Sequence, residues 1–120
     1  GGSIINFASV NAYMALEGSF ALAHCAGKGG VLAMTRQLAM EGGPLNIRAN
    51  TISPGMIVTA ATGAHLESEP GLKDKVLTKK MIKRLGQPED VANLATFLAS
   101  DESSWITASD YAVDGGARAW

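Results

Sequence analysis

Three short apolar segments alternate with helical patterns along this chain, and the alternation limits the possible fold more than any other feature. Residues 3–9 (SIINFAS), 46–53 (NIRANTIS) and 110–114 (DYAVD) are rich in residues that favour strands. A long apolar repeat at helical spacing separates the first two segments, and a helix that starts at Pro88 precedes the third. Strands that alternate with helices form parallel sheets with right-handed crossovers. We therefore predict an α/β fold with three parallel strands and two to three helices.

The long helix is predicted over about residues 20–40, and the sequence Gly42-Gly43-Pro44 ends it. Residues 56–87 have no clear period and stay irregular in this prediction. They include a basic run, residues 73–84, which we interpret as a solvated helix face. A contact with a phosphate group or an acyl carrier is the alternative for this run.

Composition excludes several classes of protein. A chain of 120 residues is one domain at most, and its net charge of -1 gives no electrostatic reason to expect nucleic acid or an anionic membrane as a partner. The single cysteine, Cys25, excludes an intrachain disulfide and favours a reducing, cytoplasmic location. No apolar run reaches the ~18 residues of a membrane span, and the first residues, GGSIINF, have strand character rather than a leader pattern. We expect residues 1–120 to be a single partial domain of a larger fold.

A histidine and a lysine lie four residues apart where the long helix begins. Residues at i and i+4 share one helix face, so His24 and Lys28 point into the same space. Glycines surround Lys28 at positions 27, 29 and 30, and each costs helix stability, up to ~1 kcal/mol relative to alanine. We therefore expect a group from elsewhere to approach the backbone closely at this point.

Small and polar residues follow each predicted strand. Ser9 ends the first strand, Pro54-Gly55 ends the second, and Gly115 follows the third. Ligands of parallel α/β sheets bind beyond the carboxyl ends of the strands. An active edge would therefore contain Ser9, the start of the long helix and residues 54–59.

Three stretches of this sequence resemble the short-chain dehydrogenase/reductase family, of the type that includes 3-oxoacyl-carrier-protein reductases. IINFAS is similar to the strand that delivers the family's catalytic serine. AGKGGVLAMTRQLAMEGGPLNIRANTISPGMIVT resembles the helix with the lysine of the Tyr-x-x-x-Lys motif and the strand that follows it. RLGQPEDVANLATFLASDESSWITASDYAVDGG resembles the closing helix and strand. The resemblance implies the C-terminal, catalytic half of a doubly wound, Rossmann-like parallel sheet.

The same resemblance implies an NAD- or NADP-dependent oxidoreductase that interconverts an alcohol and a carbonyl in a small-molecule substrate. Ser9 would polarise the substrate oxygen, and position 24 would transfer the proton. Lys28 would hold the hydroxyls of the nicotinamide ribose. The Pro54-Gly55 turn, Ile57 and Thr59 would contact the nicotinamide carboxamide. Family members commonly associate through the long helix and the segment around residues 115–120, so we predict a homo-oligomer.

The sequence departs from the family pattern in three ways. The tyrosine position is occupied by His24, which lies 15 residues after Ser9, an interval about two residues longer than usual. The sequence also contains no G-x-x-x-G-x-G turn for dinucleotide binding and no residue that would select NAD over NADP. A neutral imidazole accepts a proton more readily than it donates one. Any activity through His24 should therefore favour alcohol oxidation. The alternative is that catalysis is lost because the tyrosine is replaced.

Two alternatives come from other functional classes. The chain could be a catalytically inactive half-domain that self-associates, because an unpaired apolar strand edge invites pairing with another chain. It could also be a hydrolase in which Ser9 is the nucleophile and His24 the base, although the sequence has no G-x-S-x-G elbow. Tyr13 as a displaced catalytic tyrosine is a lesser possibility. We interpret Cys25 as a small buried thiol and His65 as solvated.

Overall fold

A computed structural model describes residues 1–119 and confirms the predicted fold class. The strands are β1 (Gly2–Phe7), β2 (Ile47–Pro54) and β3 (Asp110–Val113). They form one parallel sheet in the order β1-β2-β3, with Phe7 paired to Ile52 and Ile52 to Tyr111. The predicted strand limits differ from these by one or two residues, as is usual for element ends.

The described residues form four α-helices, of which the first and the last pack against the sheet. They are α1 (Leu22–Gly42), α2 (Ala60–Ser68), α3 (Leu72–Thr78) and α4 (Pro88–Ala99). The prediction of α1 and of the start of α4 at Pro88 is confirmed. The stretch 56–87 is not irregular throughout, since it contains α2 and α3. These helices have nine and seven residues, too few to show a helical period in the sequence.

The core lies around β2, the central strand. Ala49 and Ile52 are completely buried, as is Leu98 on α4. The buried Asn50 side chain on β2 has two partners: it donates a hydrogen bond to the Ile106 carbonyl at 2.9 Å and accepts one from the Ser109 N–H at 3.1 Å. The central strand therefore fixes the two outer strands and the turn before β3.

The glycines of α1 leave open space. A Cβ atom placed on Gly27, Gly29 or Gly30 would meet no atom within 4 Å beyond its chain neighbours and the adjacent helix backbone. The expectation that another group approaches the backbone here is therefore not met by any residue from 1 to 119. Much of this helix is uncovered, because among its residues only Thr35, Ala39 and Gly42 are buried.

Candidate active site at the carboxyl edge of the sheet

Ser9 lies two residues beyond the end of β1 and caps a short 3₁₀ turn, Val10–Ala12. The Asn11 N–H donates to Ser9 Oγ at 3.1 Å, and Ser9 Oγ donates to Asn11 Oδ1 at 3.2 Å. The hydroxyl is half-buried and is positioned by its own turn. Within residues 1–119 it has no hydrogen bond to His24, so the geometry gives no support to a Ser9–His24 hydrolase pair.

Lys28 connects α1 to the same strand end. Its Nζ donates to the carbonyl oxygen of Phe7, the last residue of β1, at 2.9 Å. An ammonium group has three donors, so this contact leaves two for other acceptors. The structure thus brings Lys28 next to the segment that carries Ser9.

His24 precedes Lys28 by one turn of α1 and is exposed. No hydrogen bond orients its ring within the described part of the chain. Cys25, between the two, is half-buried rather than fully buried as interpreted from the sequence. The helix therefore presents an unpartnered imidazole beside a fixed ammonium group.

The turn after β2 packs tightly on the turn after β3. The Gly55 N–H donates to the Val113 carbonyl at 2.9 Å. A Cβ on Gly55 would lie 2.9 Å from Asp114 Cβ and 3.0 Å from Asp114 Cα, so only glycine fits without a shift. Pro54, the last residue of β2, thus leads into a rigid turn at the carboxyl edge.

Ile57 and Thr59 hold the chain that leaves this turn. Ile57 forms an isolated parallel bridge with Gly86, closed by a Val58 N–H to Gly86 carbonyl bond of 2.8 Å. Thr59 is the N-cap of α2: its Oγ1 accepts from the Thr62 N–H at 3.2 Å, and Thr62 Oγ1 accepts from the Thr59 N–H at 2.7 Å. Both residues therefore have a structural role, whether or not they contact a cofactor.

Tyr13 is tied to β3 rather than free for proton transfer. Its hydroxyl donates to Asp110 Oδ2 at 2.6 Å, and the Arg118 guanidinium lies 4.1 Å from its ring centroid. Arg118 Nη1 also donates to Asp110 Oδ2, at 2.8 Å. Burial, followed by the hydrogen bond to Asp110, raises the pKa of Tyr13 above 10.0. A proton donor that works near neutrality needs the opposite shift, so this geometry argues against a displaced catalytic tyrosine.

The basic run was expected to be solvated, and for one residue this is wrong: Lys80 is only 3% exposed. The other basic residues of the run are exposed; they are Lys73, Lys75, Lys79, Lys83 and Arg84. Lys80 is buried because the turn that follows α3 (Leu72–Thr78) folds back onto the end of β3. His65 is exposed, as expected, with its Nδ1 3.8 Å from Glu69 Oε1.

No cluster of three or more histidine, cysteine or acidic side chains is arranged to bind a metal ion in residues 1–119. None of the helices in this part of the chain combines the length and the apolar character needed to span a bilayer.

Comparison with known proteins identifies close relatives. A family profile described as enoyl-(acyl carrier protein) reductase matches residues 1–118. Inactive 2-(S)-hydroxypropyl-CoM dehydrogenase 2 of Xanthobacter autotrophicus is 38% identical over 98% of this chain and 52% of its own length. The 3-oxoacyl-[acyl-carrier-protein] reductase of Chlamydia pneumoniae is 44% identical over 96% of this chain and 44% of its own length.

The chain is also similar to a solved dehydrogenase structure. 4-Hydroxyisoleucine dehydrogenase in complex with NADH matches with a TM-score of 0.85 at 35% identity, over 99% of this chain and 47% of that chain. The chain thus spans about half the length of the proteins that it matches.

Proposed function

Because the chain belongs to the short-chain dehydrogenase/reductase family, we propose that it forms the catalytic edge of an NAD- or NADP-dependent oxidoreductase that interconverts an alcohol and a carbonyl. The observation that carries this proposal is the 2.9 Å hydrogen bond from Lys28 Nζ to the Phe7 carbonyl. It holds a cation beside the strand end that presents Ser9, one helical turn from His24. The 3-oxoacyl-[acyl-carrier-protein] reductase and the 4-hydroxyisoleucine dehydrogenase named above support the same reaction class.

The donor groups at this edge fit the nicotinamide end of such a cofactor. The two spare N–H groups of Lys28 suit ribose hydroxyls, and the backbone at Ile57 with the Thr59 hydroxyl suits a carboxamide. None of the strand-to-helix turns in residues 1–119 carries a glycine-rich phosphate loop. We therefore propose that these residues hold only the nicotinamide ribose and carboxamide.

When bound, the cofactor supplies or accepts the hydride. The chain's own residues handle the proton and the substrate oxygen. Ser9 Oγ turns from Asn11 Oδ1 to donate to that oxygen, and His24 accepts the proton of an alcohol substrate. Lys28 adds positive charge at the same place, which stabilises an oxygen that becomes more negative.

The test is a calorimetric titration of the protein with NADH and with NADPH. We expect Lys28→Met to weaken binding by about 10-fold or more, as removal of a charged hydrogen-bond donor does. Lys73→Met removes the same charge from an exposed position of α3 and should leave binding unchanged. Equal binding by wild type and both variants would contradict the role of Lys28.

A second assay separates the two directions of the reaction. With His24 as the base, alcohol oxidation should exceed carbonyl reduction. His24→Tyr should raise carbonyl reduction by about 10²–10⁴-fold, the usual contribution of a positioned proton donor. Reduction that is equally fast in wild type and variant would refute this role of His24.

An inactive, self-associating half-domain is the second candidate. Two observations favour it: β1 is an edge strand that pairs only with β2 among the described residues, and Phe7 at its end is 46% exposed. One relative carries the word inactive in its name, which is consistent with this reading. A folded oligomer in light scattering that binds neither NADH nor NADPH would favour this candidate over the oxidoreductase.

A further inference from the structure

Lys80 is held inside the protein by the chain on both sides of it. The N–H groups of Met81 and Ile82 both donate to the Gly115 carbonyl, at 2.8 and 3.0 Å. This pair of bonds fixes residues 80–82 against the turn after β3 (Asp110–Val113), and the Lys80 side chain is only 3% exposed. A buried ammonium group is costly unless acceptors surround it.

The acceptors around this ammonium group are few. Lys80 Nζ donates to the Asp114 main-chain carbonyl at 3.2 Å. The Asp114 carboxylate contributes charge, but its oxygens accept from the N–H groups of Gly116 and Arg118, at 2.9 and 3.0 Å. Two of the three N–H donors of Lys80 are thus without an acceptor from residues 1–119.

Lys80 is one of the residues that line a cleft of about 350 Å³. The charged side chains that line it are Lys80, Arg84, Asp90 and Asp114. Arg84 and Asp90 neutralise each other through two hydrogen bonds of 2.6 and 2.8 Å. Arg84 is exposed and already paired with a carboxylate, so Lys80 is the buried cation of the cleft that retains donors for a ligand.

We propose that this cleft binds a small oxyanion, a phosphate or carboxylate group, through Lys80 Nζ. An oxyanion supplies acceptors for both remaining N–H groups, and its negative charge stabilises the buried, desolvated ammonium group. The two cations and two acids of the cleft sum to zero charge, so attraction at long range is weak and millimolar affinity is expected. This proposal does not depend on the proposed oxidoreductase activity.

The test is thermal unfolding of the protein during titration with inorganic phosphate and, separately, with acetate, at constant ionic strength. A ligand that binds the folded state raises the midpoint with a saturating dependence on concentration. We expect saturation in wild type, and about 10-fold or greater weakening in Lys80→Met, which keeps the apolar stem but removes the ammonium. Lys79→Met is the matched control, because Lys79 is exposed, and should bind as wild type does. The arm that saturates at lower concentration identifies phosphate or carboxylate as the preferred group.

An equal rise in the midpoint for wild type and Lys80→Met would overturn the proposal, since ions of this kind also stabilise proteins by exclusion from their surface. A second measurement uses only wild-type protein, in case Lys80→Met does not fold. Acetic anhydride modifies free amines, and peptide mass spectrometry gives the rate at each lysine. The preferred anion should slow modification of Lys80 by about 3-fold or more, as occupancy above its dissociation constant requires, and leave Lys79 unchanged. Equal rates at Lys80 with and without the anion would also overturn the proposal.

Discussion

The turn into β3 (Asp110–Val113) contains Ala108, and substitution of this residue tests whether its backbone conformation is strained. Its φ is +57°, the left-handed region that side chains with a Cβ avoid at a cost of ~1–2 kcal/mol. The central strand enforces this conformation: the Ala108 N–H donates to the Ala49 carbonyl at 2.8 Å, and Thr107 Oγ1 accepts from the Ala49 N–H at 3.0 Å. The Ala108 side chain is exposed, so its removal forfeits no packing.

Ala108→Gly should therefore stabilise the protein. Relief of the left-handed strain gains ~1–2 kcal/mol, and the greater freedom of glycine in the unfolded chain costs ~0.5–1 kcal/mol. The net gain is about 0–1.5 kcal/mol, and its central value of about 0.75 kcal/mol corresponds to a rise of roughly 2–5 °C in the midpoint of thermal unfolding. Circular dichroism at 222 nm measures this midpoint directly.

A matched control uses the same substitution in a regular helix. Ala92 is exposed within α4 (Pro88–Ala99), and Ala92→Gly should destabilise the protein by about 1 kcal/mol, the usual helix cost of glycine. The two substitutions thus have opposite expected signs. If Ala108→Gly lowers the midpoint as Ala92→Gly does, the backbone at Ala108 stores no strain.

Three further predictions concern contacts at the edge of the sheet. Gly55→Ala should cost roughly 1–3 kcal/mol, because its Cβ would lie 2.9 Å from Asp114 Cβ; a urea midpoint equal to wild type would contradict the close approach. Arg84 holds the pKa of Asp90 well below its usual range, so this pair contributes stability above about pH 4 that is lost as the pH falls further. Asp90→Asn should make the unfolding midpoint fall less steeply as the pH is lowered below about 4. An equally steep fall in wild type and variant would count against a contribution from this pair. The pKa of Tyr13 is raised above 10.0, so its hydroxyl contributes to the free energy of unfolding below pH 10.0, and this contribution is lost above the folded-state pKa. The part of the absorbance at 295 nm that Tyr13→Phe removes should therefore titrate above pH 10.0.

Local patterns in the sequence predict the strands and the two longer helices. The apolar segment that became β1 and the Pro88 start of α4 are signals carried by neighbouring residues. The same holds for Ser9 and Pro54-Gly55, because parallel strands bring their carboxyl ends to one edge. These positions needed no knowledge of distant contacts.

Contacts between distant residues explain what the sequence did not reveal. Tyr13 and Asp110 are 97 positions apart, and no sequence motif around either residue predicts that the two form a hydrogen bond. Lys80 lies in a basic run that looks solvated, and its burial depends on the Gly115 carbonyl, which no local pattern indicates. The cap of α2 pairs two threonines, Thr59 and Thr62, where the usual signature has Glu or Gln at the later position.

The bridge between Ile57 and Gly86 has a consequence for how proteins of this shape can change over generations. It closes the base of the excursion that contains α2 (Ala60–Ser68) and α3 (Leu72–Thr78), since the chain enters and leaves beside the same hydrogen bonds. Glycine suits position 86, because a Cβ there would lie 3.2 Å from the Met56 carbonyl oxygen and would require the end of the Ile57 side chain, 2.5 Å away at Cδ1, to shift. Insertions and deletions inside a loop with fixed ends cost little, as closure entropy grows only slowly with length. The segment between Ile57 and Gly86 can thus change in sequence and length while β2 and β3 keep their register.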